Sequence, residues 1–152
     1  MRHATLATLV ITTLAAACRP SPTPTPTSGG PSHDSAAEST ESLAGSAWAL
    51  EDIGGAGVID DAKATLEFPD SGKVAGRGSC NRFFGTVEVT GARIRFGHLG
   101  ATRMACPEGV MDQETRYLKR LETAERFAVA GDILRIYSSE SAPSLRFIRE
   151  SR

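Results

Sequence analysis

The chain has 152 residues, with 17 Lys+Arg against 18 Asp+Glu and a net charge of −1. That near balance excludes a nucleic-acid binder of the usual basic kind. The hydrophobic share of 40% is enough for one modest core. Cys18, Cys80 and Cys106 form no Cys-x-x-Cys pair of the kind that holds structural zinc.

The first element is a leader. Met1-Arg2-His3 precedes an uncharged run from Ala4 to Ala17, 14 residues long and short of the ~20 that a membrane-spanning helix needs. A positive start, an apolar middle and small residues before a cut describe a secretory signal. Leu14-Ala15-Ala16-Ala17-Cys18 resembles the lipobox of bacterial lipoproteins, in which the cysteine is acylated and the peptide is cut just before it. The usual Leu three places before the cysteine is Ala15 here. The resemblance implies that residues 1–17 are a lipoprotein signal peptide and that Cys18 is the lipid attachment site. Arg19 follows, not the Asp that favours inner-membrane retention. In a Gram-negative host this implies the outer membrane, facing the periplasm. The alternative is an ordinary cleaved leader that leaves Cys18 as a free thiol.

Residues 18–42 are rich in Pro, Thr, Ser, Gly and Ala and include the repeat Pro22-Thr23-Pro24-Thr25-Pro26-Thr27. Such a segment cannot bury a core and is read as an extended tether. The folded domain is placed at residues 43–150.

Within it, short strand patterns follow one another. Ala47–Ile53 is the first. Lys63–Phe68 places Ala64, Leu66 and Phe68 on one face, and Pro69-Asp70-Ser71-Gly72 reads as a turn. Lys73–Gly78 is a Gly-interrupted strand. Phe83–Val89 and Ala92–Phe96 flank Thr90-Gly91 as a hairpin, with Ala92, Ile94 and Phe96 inward and Arg93 and Arg95 outward. One segment has helical period: Val110, Glu114, Tyr117, Leu118 and Leu121, opened by Pro107 at a first helical position. Lys119, Arg120 and Arg126 load its far end. Phe127–Ala130 and Ile133–Tyr137 flank Gly131-Asp132 as a second hairpin, and Leu145–Ile148 closes the chain. One helix with many antiparallel strands predicts an α+β fold, the helix lying across a curved antiparallel sheet.

Two stretches stand out: Gly76-Arg77-Gly78-Ser79-Cys80-Asn81-Arg82-Phe83-Phe84-Gly85 and Leu99-Gly100-Ala101-Thr102-Arg103-Met104-Ala105-Cys106-Pro107. With Trp48-Ala49-Leu50 they resemble the META/HslJ domain of bacterial envelope proteins. That family shows a Trp-x-Leu start, a Gly-x-x-Cys-Asn-x-Phe-x-Gly segment and a Thr-x-Met-x-Cys segment leading into a helix. The resemblance covers about residues 43–148. It implies a half-barrel sheet wrapped around one helix, with Trp48, Gly78, Asn81, Phe83, Gly85, Thr102 and Met104 as structural motif positions. It also implies an association with heat shock and drug tolerance. The residues make local sense: Gly76, Gly78 and Gly85 permit bends or close approach, Asn81 can bond backbone groups left unpaired at a bend, and Phe83 or Phe84 plugs the core.

Cys80 and Cys106 then meet near the strand-to-helix corner. Outside the cytoplasm a thiol pair usually becomes a disulfide, which in a small domain is a large contribution to stability. The other readings are two reduced, buried thiols, a metal site completed by His98, and a Cys nucleophile with His98 as base. Ser79 lies in no Gly-x-Ser-x-Gly elbow. Asp60-Asp61, Asp112 and Glu114 read as solvated acids. Arg77, Arg82, Arg93, Arg95 and Arg103 read as solvent-facing, or as a basic face for an anionic lipid or peptide.

The function expected is a non-enzymatic envelope lipoprotein without cofactor or metal. It would be a monomeric, membrane-tethered module linked to envelope stress or drug tolerance through a ligand or partner protein. The alternative is a thiol-dependent enzyme or redox protein using Cys80 and Cys106. A third reading is a structural accessory to a larger assembly.

Overall fold

Period-two alternation sets the architecture. In β1 (Ser46–Ile53), Ser46, Trp48, Leu50 and Ile53 are buried and the intervening residues are not. The same pattern repeats in β2 (Thr65–Phe68), β3 (Lys73–Arg77), β4 (Arg82–Thr90) and β5 (Arg93–Phe96). After a two-residue β6 (Gly100–Ala101) the chain forms α1 (Glu108–Glu122), then β7 (Arg126–Ala130), β8 (Ile133–Tyr137) and β9 (Leu145–Arg149). The computed structural model describes residues 42–138 and 144–151. The leader, Cys18 and nearly all of the tether lie outside the described residues.

Consecutive strands pair antiparallel from β1 to β5 and from β7 to β9. Two further pairings close the ring. β1 pairs with β9 across the two ends of the domain, with a register shift between Leu50 and Asp52, and β5 pairs with β7 across the inserted helix at Arg93↔Arg126. The product is a closed barrel of eight antiparallel strands, with β6 lying on β4 as a short extra pairing. The expected half-barrel of α+β type is therefore corrected to a closed, mainly β fold. Turn residues specify neighbouring strands, whereas closure depends on the summed twist and stagger of all eight.

The hairpin turns sit at one end. Gly91 and Gly131 occupy first turn positions with φ of +58° and +59°, which fits a type II′ turn that a side chain would strain. The long connections gather at the other end, and α1 is bonded to them. Pro107 stands just outside the helix as its N-cap, one place earlier than expected, and its carbonyl accepts from the N–H groups of Val110 and Met111. Arg126 belongs to β7, not to the helix end.

The interior is filled by side chains, as the width of an eight-stranded barrel dictates. Trp48, Leu66, Ile94, Tyr117, Leu121, Leu134, Ile136, Leu145 and Phe147 are fully buried. Each such apolar side chain contributes about 1.5–3 kcal/mol by leaving water. Phe83 enters this core, edge-on to Tyr117 at 5.9 Å, while Phe84 points out and is 64% exposed. Ala92 is exposed because it lies in the hairpin turn, not in β5.

Candidate functional site, a locked corner beneath the helix

The chain reverses between β3 and β4 through Gly78-Ser79-Cys80-Asn81. Here Gly78 N–H donates to the Asn81 carbonyl at 2.7 Å. Ser79 has φ of +123°, the only positive value for a non-glycine among the described residues. Backbone of that kind costs on the order of 1–3 kcal/mol and persists only when its surroundings hold it.

The surroundings are α1 and the segment leading into it. Glu114 lies one helical turn before Tyr117 and is buried. Its Oε2 accepts from the Cys80 N–H at 3.0 Å and the Asn81 N–H at 2.6 Å, and its Oε1 accepts from Asn81 Nδ2 at 2.8 Å. Asn81 Oδ1 in turn accepts from Thr102 Oγ1 at 3.0 Å and from the Met104 N–H at 2.7 Å. Gln113 works beside it. Its Oε1 accepts from the Ile59 N–H at 2.7 Å, and its Nε2 donates to the Ala62 carbonyl and to Ser79 Oγ, each at 2.9 Å. The two adjacent side chains thus bind the β1–β2 loop and the β3–β4 bend to one helix, and Asn81 extends the connection to the β6–α1 segment.

A disulfide joins Cys80 to Cys106, with Cα atoms 6.0 Å apart. Closing that loop contributes about 3.5 kcal/mol in the chain-entropy account. Gly78 has no room for a side chain: a Cβ there would sit 2.7 Å from Glu114 Cγ and Oε2. Gly85 lies farther along β4, where a Cβ would meet the His98 carbonyl at 2.7 Å.

Of the positions singled out by the sequence, the structure gathers Gly78, Cys80, Asn81, Thr102, Met104 and Cys106 at this corner. Phe83 lies in the core just beyond it. Trp48 stands apart on β1, fully buried, with Nε1 donating to Ser46 Oγ at 2.7 Å and the Arg149 guanidinium 4.3 Å from its ring centre. Glu114 corrects the reading of a solvated acid, while Asp112 is exposed. Glu114 and Gln113 are the residues that sequence reasoning missed. Their signal was polar character on the inward stripe of an amphipathic helix. His98 is exposed, and among the described residues no three His, Cys, Asp or Glu side chains are grouped to hold a metal.

The fold and corner define a helix-capped, disulfide-locked antiparallel β-barrel. Residues 41–151 match the family model of the META domain, and the chain belongs to that family. META domains are not a known enzyme family. Two solved structures are similar. One is a protein from Burkholderia xenovorans determined by NMR, with 25% identity and a TM-score of 0.61 over 74% of this chain and 87% of that one. The other, also from NMR, has 20% identity and a TM-score of 0.59 over 72% and 93%, and is a likeness of fold alone. No curated protein matches the chain.

Proposed function

We propose that this META domain is a non-enzymatic binding module, held in the bacterial cell envelope by an acylated Cys18 and the Pro- and Thr-rich segment that follows it. In this reading it serves envelope stress or drug tolerance by contact with a ligand or partner protein. One observation carries the non-enzymatic part. Both thiols of the corner are tied up in a disulfide, and its buried carboxylate accepts from three N–H donors, so the chemistry present is spent on holding shape. A structural disulfide also fits an exported protein.

Metabolic labelling with an alkyne-palmitate tests the anchor. Label is expected on the wild-type chain and absent from Cys18→Ala, with the wild-type protein in the membrane fraction. An unlabelled, freely soluble wild-type protein overturns it. A clean deletion is expected to sensitise cells to heat, detergent or antibiotics, and unchanged tolerance to all three counts against the stress role.

The thiol-dependent alternative has one observation in its favour: Cys106 immediately precedes the Pro107 N-cap, where a helix N-terminus stabilises a thiolate. Equilibration against a glutathione series separates the readings. A disulfide that resists reduction supports the binding module, and one in ready exchange with glutathione supports the alternative.

A further inference from the structure

Among the described residues, three pairs of arginines face each other across neighbouring strands. They are Arg77 with Arg82, Arg93 with Arg126, and Arg135 with Arg146. Like charges directly opposite one another destabilise a sheet, so each pair needs compensation. In two pairs one member has it. Arg126 lies over the Tyr137 ring, 4.8 Å from its centre, and Arg146 makes a 3.0 Å ion pair with Glu51. Arg77 and Arg82 have neither an acid nor an aromatic partner among the described residues.

That uncompensated pair borders a groove of about 460 Å³ on the outer face of β2, β3 and β4. Ala75, which shares the outer face with Arg77, and the backbone of Gly76 make its floor, and the small Ala75 side chain leaves a depression between larger neighbours. Lys63 adds a third cation, against the single carboxylate of Glu67. Phe84 forms the remaining wall. Its ring is exposed but placed, because it packs over the backbone of Gly100 on β6, which pairs with it.

We propose that this groove binds a ring compound carrying one oxyanion, with the anion between the guanidinium groups of Arg77 and Arg82 and the ring against Phe84. A guanidinium fork matches phosphate or carboxylate oxygens two at a time, and an anion between two forks removes the repulsion the pair suffers without it. Phe84 offers an aromatic face at the far wall. Glu67 disfavours a second negative group on the ligand. The site names a ligand class for the binding role proposed above, and it does not depend on acylation of Cys18.

The test is an NMR titration of the ¹⁵N-labelled full chain in zwitterionic micelles. Phenyl phosphate is the probe, with glucose 6-phosphate and inorganic phosphate beside it. Saturable shifts are expected on Lys63–Glu67, Ala75–Arg77 and Arg82–Phe84, with phenyl phosphate binding about tenfold tighter than inorganic phosphate. Arg77→Gln and Arg82→Gln should each weaken phenyl phosphate by about tenfold. Phe84→Ala should erase its advantage and leave inorganic phosphate unchanged. Glucose 6-phosphate binding as tightly as phenyl phosphate assigns a sugar ring, and weaker binding assigns an apolar one. No saturable shift with either ring compound overturns the proposal. So do shifts outside the groove, or shifts that survive both arginine substitutions. Palmitate labelling does not read this site, so either proposal can fail alone.

Discussion

Glu114 on α1 grips Asn81 at the β3–β4 bend with both carboxylate oxygens, one on its backbone N–H at 2.6 Å and the other on its side-chain amide at 2.8 Å. Asn81 passes the connection on to Thr102 and Met104, so the helix, the bend and the segment entering the helix are held by one relay.

Replacing the carboxylate tests that relay. Glu114→Gln presents an NH₂ group to an N–H donor that now meets an oxygen, and should lower stability by about 1.5–3 kcal/mol in urea unfolding, the range for hydrogen bonds to charged groups. Gly78→Ala drives a methyl group into Glu114 and should cost about 1–3 kcal/mol through overcrowding. In a double-mutant cycle with Glu114→Ala, part of the Gly78→Ala loss should be recovered, because the atoms it strikes are gone. Strict additivity would refute the contact.

The disulfide should contribute more than any single hydrogen bond at the corner. Cys80→Ser with Cys106→Ser is expected to lose about 3.5 kcal/mol relative to the oxidised protein. Trp48, the chain's one tryptophan, is fully buried and reports the transition by fluorescence. An unchanged midpoint in the double variant would remove the disulfide from the account of stability.

Adjacent phenylalanines should behave oppositely. Phe83 is buried against Tyr117, and Phe83→Ala should cost about 3–5 kcal/mol by opening a cavity. Phe84→Ala acts at an exposed site and should change stability by about 0.5 kcal/mol or less. Equal losses would mean that the strand is out of register by one residue, since such a slip exchanges the two faces.

Alkali should expose Tyr117. Burial pushes its hydroxyl well above the ordinary tyrosine value, so the folded protein keeps a proton that the unfolded chain releases. The stability this contributes is fully present below the unfolded pKa of about 10 and is lost as pH rises through the folded value. Tyr117→Phe should flatten the decline above that pH. At neutral pH it should lose about 1 kcal/mol, because the 3.0 Å bond to the Thr65 carbonyl is gone. An unaltered alkaline slope in the variant would place the titrating group elsewhere.

Much of the strand pattern is legible in the sequence. Leu66 and Phe68 alternate inward, Gly91 and Gly131 mark their hairpins, and Ile133–Tyr137 is a strand from its first residue to its last. The helix is legible from Tyr117 and Leu121, although Pro107 falls one place outside it. Glu114 was not, because an acid at helix spacing is normally solvated, and its partners are some thirty positions upstream. β6 was not either, since two residues carry no periodicity.

The sequence by itself determined which residues alternate, where the chain turns, and that Cys80 and Cys106 flank a bend and a helix start. Those properties are local, written in side-chain period and in glycine's freedom of φ. Only the tertiary structure decided that β1 meets β9 and β5 meets β7 to close the ring. It also set Glu114 beneath Asn81 and left Arg77 opposite Arg82 beside an exposed Phe84. These relations join segments distant in sequence through the twist and stagger of eight strands, which no local window of residues contains.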